Sequence, residues 1–293
     1  MTTDSTTTTA GRVTSTVDSD ARPDPTAVYA LGSSTDETSR LQRQADELLA
    51  ANTTLIDRTK LAPGDAAIDL GCGPRGVLEL LSDRVGPSGR VVGVDADPNH
   101  VAKARELIAT KRLTNIEVLL GDACETSIAS SAFDVVHART LLITLPEPAQ
   151  VVQEMVRLTK PGGWVLSFEP DCESSVCYPS HAAYERLVDI LAPVFSRHGA
   201  DWRIGRRVGE LFRSAGLVDV EVECRGDAYR HGHSRRTIRV DLIRSMRTQV
   251  VEQGLATDTE LDELFAASVA HLENPDVVVM PHLSFLVSGR KPT

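Results

Sequence analysis

Aspartates that close successive apolar runs are the residues of this chain best spaced to do chemistry. Asp69 lies within Ala66-Ala67-Ile68-Asp69-Leu70, directly before Gly71-Cys72-Gly73-Pro74-Arg75-Gly76. Asp95, with Ala96 beside it, ends Val91-Val92-Gly93-Val94, and Asp122 follows Ile116–Leu120 and Gly121. Gly71, Gly73 and Gly76 fit G-x-G-x-x-G, and Asp95 stands at the interval of a ribose-binding acid. Glycine accepts positive φ and lets the backbone come close to a ligand. The turn would offer backbone N–H groups and a helix N-terminus. Alone, the pattern marks a nucleotide cofactor without selecting one.

The charge on Asp69 begins to select. It would repel a pyrophosphate laid on the loop, because like charges interact strongly where the dielectric is low. It suits a ligand with an α-ammonium group, reached directly or through water. Asp95 can accept from both ribose hydroxyls. Asp122 can accept from an adenine amino group while the Ala123 N–H donates to a ring nitrogen.

These acids need a scaffold that brings strand ends together. Strands are predicted over Ala66–Leu70, Val91–Val94, Ile116–Leu120, Phe133–His137 and Trp164–Phe168. Helices are predicted between them over Gly76–Val85, Pro98–Leu107 and Pro148–Leu158, with Pro161-Gly162-Gly163 as a turn. Repeated strand–helix units imply a mainly parallel sheet with helices on both faces. Ligands of such a sheet bind at the carboxyl ends of its strands, where the acids fall. Later residues predict helices over 181–198, kinked at Pro193, and 205–215, a strand Val218–Cys224, two helices within 237–273, and a closing strand His282–Ser288. Ser34 and Glu37 have capping-box spacing ahead of a first helix, as do Thr257 and Glu260.

Taken together, Asp69-Leu70-Gly71-Cys72-Gly73, Val94-Asp95, Gly121-Asp122-Ala123, Phe133-Asp134-Val135-Val136-His137 and Pro161-Gly162-Gly163 resemble class I S-adenosylmethionine-dependent methyltransferases. The resemblance runs over about residues 40 to 290. It implies a Rossmann-like α/β fold: seven strands, mainly parallel, with an antiparallel last strand, an N-terminal helix and a helical insert. It implies S-adenosyl-L-methionine as cofactor, held by Asp69, Gly71, Cys72, Gly73, Asp95, Ala96, Gly121, Asp122, Ala123 and Arg139. Residues 1–26, rich in Thr, Ser and Asp with Pro23 and Pro25, predict a disordered tail; the parts that follow are a helical lid over 27–60 and a catalytic domain over 61–293 with its insert at 234–275.

A second likeness is to the ubiquinone/menaquinone-type methyltransferase group, in its actinomycete natural-product branch. It rests on Tyr29-x-Leu31-Gly32, Glu37-x-x-Arg40-Leu41-x-x-Gln44, Arg139, Glu169-x-Asp171 and Gly199-x-Asp201. Some of these relatives methylate carbons of indoles or of terpenyl-indole alkaloids such as teleocidins. The likeness implies C-methylation of such a specialised metabolite, with cyclisation as a further outcome of the cation formed. O- or N-methylation, methylation of a quinone precursor, and a cyclase that retains the cofactor without methyl transfer stay open.

Methyl transfer is an in-line displacement, so the protein's main task is to hold the nucleophile at near-attack geometry. Tyr29 could close over the cofactor or pack as a staple. His137 ends the fourth predicted strand, and Glu169 the fifth. Either could act as acid or base, or serve structure alone. Arg139 could pair with the cofactor carboxylate or with Glu169. Tyr178, His181 and Trp202 are weaker pocket candidates. His231-Gly232-His233 reads as a turn, lacking a third metal ligand at a recognisable spacing. Arg235, Arg236, Arg239, Arg244 and Arg247 read as a solvated helix face, or else as a contact for an anionic substrate or another subunit.

Composition narrows the partners. The chain has 293 residues, 41% of them hydrophobic and 25% charged, which suits a globular protein with a full core. A net charge of -10 argues against nucleic acid as a partner. No apolar run is long enough for a membrane span, and the polar N-terminus lacks a signal-peptide core. The 5 cysteines form no C-x-x-C pair. A cytoplasmic protein acting on a small molecule, with self-association through the N-terminal arm, is the expectation.

Overall fold

The computed structural model describes residues 35–197 and 199–293. Tyr29, the 1–26 tail and the Ser34 cap lie outside the described residues. In chain order the elements are α1 (Thr35–Glu47), α2 (Leu49–Asp57), β1 (Ala66–Leu70), α3 (Leu78–Val85), β2 (Arg90–Asp95), α4 (Pro98–Lys111), β3 (Ile116–Leu120) and β4 (Phe133–Arg139). Next come α5 (Pro148–Leu158), β5 (Thr159–Asp171), β6 (Val176–Tyr178), α6 (Ala182–Arg197), α7 (Ile204–Ser214) and β7 (Val218–Gly226). The chain ends with α8 (Ile238–Ser245), α9 (Arg247–Glu252), α10 (Asp258–Leu272), β8 (Val278–Met280) and β9 (Leu283–Arg290).

The main sheet has the order β3-β2-β1-β4-β5-β9-β7. Its neighbours are parallel from β3 to β5, whereas β9 runs antiparallel to both β5 and β7. The seven-stranded plan and its antiparallel last strand are as the sequence implies. Strand order reverses between β1 and β4, which opens the crevice where this architecture binds ligands.

Alternation along β1 sorts its side chains between two packed layers. Ile68 and Leu70 join one cluster with Val136, Met155 and Leu158, while Ala67 joins another with Leu55, Leu81 and Leu166. Side chains this size, fully buried, contribute about 1.5–3 kcal/mol each. Local chemistry sets the helix starts. Asp97 caps α4 by accepting from Asn99 N at 2.7 Å, with Pro98 in the first turn. Thr257 caps α10 by accepting from Glu260 N at 3.1 Å.

Several expectations need correction. The 237–273 stretch holds three helices, with a 3-10 turn at Ser234–Thr237 before them. A second sheet pairs β6 with β8 antiparallel, a contact the sequence reading did not contain. The Pro161–Gly163 turn lies inside β5 as a register shift against β4, between the pairs Phe133–Thr159 and Val135–Trp164.

Candidate active site

The loop after β1 is held from beneath by Asp69. This carboxylate is 2% exposed. One oxygen meets His137 Nδ1 at 2.8 Å, and the other accepts from Val77 N at 3.0 Å, at the start of α3. A negative charge at a helix N-terminus is favourable. Asp69 therefore shapes the loop, with both of its oxygens engaged inside the protein. Gly76 shows why the loop must be glycine there. Its φ is +56°, and an added Cβ would lie 2.2 Å from Asp69 Oδ2 and 2.7 Å from the Cys72 carbonyl. At Gly73, φ +58°, an added Cβ would meet nothing within 4 Å, so the loop's outer side is open.

Asp95 ends β2 and faces this opening. Its Oδ2 accepts from Gly73 N at 2.7 Å and its Oδ1 from Asp97 N at 2.9 Å. Carboxylate oxygens have lone pairs beyond those two bonds. Ala96 and Asp122 are exposed, and Ala123 is buried. Asp122 Oδ1 accepts from Cys124 N at 2.8 Å, and Gly121 N donates to Asp95 O at 3.0 Å. The strand ends carrying Asp95 and Asp122 are thus bonded to each other. Leu120, paired with Asp95 across the sheet, is 58% exposed, an apolar surface beside these acids that the sequence reading missed. Cys72 contributes backbone only. Its N–H bonds Val94 O at 3.0 Å, its side chain is buried, and burial pushes the thiol well above its usual range.

A second group of residues forms a cavity next to this loop. Thr140, just past the end of β4, and Phe168, near the end of β5, form its floor, and Leu41 and Gln44 of α1 close one side. Phe195 and Trp202 supply aromatic wall, with ring centroids 4.9 Å apart. Arg235, Arg239 and His282 complete it. The loop packs against the residue that follows Thr140 of the cavity floor: a Cβ on Gly71 would lie 2.7 Å from Leu141 Cδ1.

Glu169 fixes that contact. It is fully buried and accepts from Leu141 N at 2.9 Å, Leu142 N at 3.0 Å and Ile143 N at 3.2 Å. Burial pushes its carboxyl up to about 8, although the three amides pull the other way. His137 is also fully buried, with Nε2 unpartnered. Neither residue is among those lining the cavity. Arg139 forms no pair with Glu169. Its Nη1 is buried without a partner. Enclosure lowers its pKa, opposed by the charge of Asp69 and reinforced by those of Arg235 and Arg75. Arg139 therefore stands where the loop meets the cavity.

The arginine run is a solvated face only in part, at Arg244, which is exposed, and Arg247. Arg235, Arg236 and Arg239 are at most 3% exposed. Arg236 Nη1 donates to Tyr229 O at 2.9 Å and Val277 O at 2.8 Å, closing the insert onto β8. Arg247 does lie outside, between Asp258 and Asp262 at 2.6 Å each. Apolar neighbours Ile238, Val240 and Ile243, interleaved with the arginines, were the sequence signal for their burial. His233 Nδ1 accepts from Arg235 N at 3.2 Å and so caps the 3-10 turn. Among the weaker candidates, Trp202 lines the cavity, Tyr178 is exposed, and His181 stacks on His271 at 4.6 Å.

One helix spans both groups. Asp46 of α1 pairs with Arg75 of the glycine loop at 2.7 Å. The next residue, Glu47, pairs with Arg235 at 3.3 Å and accepts from Ser234.

A sheet of this order, with a glycine turn after β1 and an acid ending β2, defines the class I methyltransferase fold. A family model described as a methyltransferase domain matches residues 61–212, just over half of the chain, and the chain belongs to that family. Its methyl donor is S-adenosylmethionine, and the residues present fit it. The open outer side at Gly73 leaves room, Asp95 retains acceptor capacity, and the orphaned Arg139 Nη1 suits a carboxylate.

An uncharacterized 37.1 kDa protein in transposon TN4556 of Streptomyces fradiae is 33% identical over 186 residues, 62% of this chain and 52% of that protein. The chain thus spans about half of that relative. The demethylmenaquinone methyltransferase of Halalkalibacterium halodurans is 28% identical over 180 residues, 57% of this chain and 74% of that enzyme. In fold, the chain is similar to Haemonchus contortus phosphoethanolamine N-methyltransferase 2, solved with phosphomonomethylethanolamine and S-adenosylhomocysteine. That TM-score is 0.54 at 19% identity, over 83% of this chain and 53% of the other. No helix among the described residues is long and apolar enough to cross a membrane.

Proposed function

We propose that the protein transfers a methyl group to a carbon of a small, electron-rich aromatic acceptor held in the cavity beside the glycine loop, an indole or terpenyl-indole being the specific form. S-adenosylmethionine supplies the electrophilic methyl group. Asp95 and Asp122 would orient its adenosine part, Arg139 its carboxylate, and Asp69 its ammonium group through the field of a buried charge.

The observation that carries the choice of carbon is the make-up of the cavity wall. Among the described residues it contains aromatic and aliphatic groups but no carboxylate. Its other titratable side chains are poor bases. Burial raises the Cys172 thiol to about 12. His282 Nε2 lies 3.2 Å from Arg235 Nη2, which can only donate, so that nitrogen is occupied. An oxygen or nitrogen acceptor with a proton to lose commonly needs a base. An electron-rich carbon attacks first and loses its proton afterwards. His137 and Glu169 act in this reading as positioning groups: His137 steadies Asp69, and Glu169 holds Leu141 against the loop.

A second reading, methylation of a quinone precursor, draws support from the likeness to demethylmenaquinone methyltransferases. One assay separates them. Labelled S-adenosylmethionine is incubated with indole, terpenyl-indole, phenolic and hydroquinone acceptors, and the methylated atom is located by NMR. A new carbon–methyl bond on an indole supports the proposal. Transfer confined to hydroquinones favours the second reading. Transfer confined to oxygen or nitrogen, or rearrangement of acceptor without S-adenosylhomocysteine, overturns the proposal.

A further inference from the structure

Arg239 is the most conspicuous charge in the cavity wall. It is 2% exposed. Its Nη2 donates to Cys172 O at 2.7 Å and to Pro281 O, and its guanidinium lies 5.5 Å from the Trp202 ring centroid. Its Nε is buried with no partner, and among the described residues no carboxylate pairs with it. Arg235, one helical turn earlier, is 3% exposed and has Glu47 as its only carboxylate partner among the described residues. Its Nε is likewise buried and unpartnered. His282 feels both arginines, whose charges add to burial in pushing its pKa well below the usual range. Arg235, Arg239 and His282 line one cavity, Arg235 Nη2 lying 3.2 Å from His282 Nε2, and Glu47 is the carboxylate that balances Arg235 among the described residues.

Removing a cation from water without a counter-charge costs several kcal/mol. A purely structural pin between Cys172 and Pro281 explains the two carbonyl bonds of Arg239. It does not explain why the Nε of each of two neighbouring arginines is left without an acceptor beside the same cavity. Carbonyl oxygens and a ring face offset part of the charge, and an anionic ligand would offset the rest.

We propose that the acceptor carries a carboxylate on its apolar aromatic body, and that Arg239 and Arg235, whose side chains line the cavity, select it by their charge. The guanidinium is suited to this, because charge-assisted bonds to carboxylate are the strong ones and its donor fork is rigid. The aromatic wall of Phe195 and Trp202 receives the body of the molecule. The inference rests on the cavity being the acceptor site, not on which atom is methylated.

The test titrates the full chain, loaded with S-adenosylhomocysteine, with indole-3-acetate and with its neutral isostere indole-3-acetamide, read by calorimetry. The acid should bind about 10- to 100-fold more tightly than the amide. Arg239→Gln should bring the acid down to the affinity of the amide and leave the amide unchanged. If that variant does not fold, Arg235→Gln serves the same purpose, and the wild-type ratio stands by itself. Equal binding of the two probes, binding of neither up to about 10 mM, or an acid preference that survives substitution would overturn the inference. Methyl transfer plays no part in this titration. Acid preference without turnover would sink the proposed function alone, and turnover of neutral indoles without acid preference would sink this inference alone.

Discussion

The glycine-loop half and the cavity half of this molecule handle charge in opposite ways. In the first, acids sit at or beside strand ends, and their partners lie within a few residues or one strand away: the Gly73 and Asp97 amides for Asp95, the Val77 amide and the His137 ring for Asp69, the Cys124 amide for Asp122. In the second, buried cations come from the segment around α8 and are balanced by groups from distant parts of the chain, such as Glu47, Cys172 and Pro281. Local pairing makes a site that any sequence with the right turn can rebuild. Remote pairing makes a site whose chemistry can change by substituting the insert while the sheet stays as it is.

The largest effect that would sharpen this contrast is expected at Gly76. Gly76→Ala forces a Cβ into Asp69 and the Cys72 carbonyl at positive φ, so S-adenosylhomocysteine affinity should fall at least about 100-fold by calorimetry. Unchanged affinity would break the claim that the loop has one workable shape. Asp95→Asn comes next. It keeps one acceptor, for Gly73 N, but removes the charge and the acceptor for Asp97 N, so cofactor affinity should drop roughly 10-fold, while indole-3-acetate binding in the other half stays the same. A matching loss of acid binding would show that the halves are not independent.

A smaller effect concerns the residue that joins them. Glu169, raised to about 8 in the folded chain by burial, binds its proton more tightly folded than unfolded. Its contribution to stability is full below the unfolded carboxyl range and is lost as pH rises through about 8. The melting midpoint should therefore fall between pH 6 and pH 8.5 by an amount on the order of a few °C, and Glu169→Gln should flatten that slope. A slope unchanged in the variant would assign it to other groups. Smallest of all, Arg247→Ala removes exposed pairs with Asp258 and Asp262, and both the midpoint, within about 1 °C, and the binding of either ligand should be unaffected.

The same contrast explains what the sequence made legible. The strands of the sheet read clearly because fully buried parallel strands leave apolar runs, and Asp69, Asp95 and Asp122 stood out by ending or interrupting them. Asp97 and Thr257 capped their helices for reasons confined to one turn of chain. The pairing of β6 with β8 was not legible, since three-residue strands carry no period and meet across about a hundred residues of chain. Arg235, Arg236 and Arg239 were misread because charge on a helix is ordinarily solvated. Their burial depends on carbonyls at Cys172, Leu272, Val277 and Pro281, which only the folded chain brings near. Glu169 was legible as an unusual acid, but not as a clasp for the amides of Leu141, Leu142 and Ile143.

Asp46 and Glu47 are neighbours on α1, yet one grips the glycine loop and the other grips the insert. The helix is in effect a crossbar with both fastenings at one end. Any displacement of that end would load both fastenings together, so the glycine loop and the insert feel the helix as one lever.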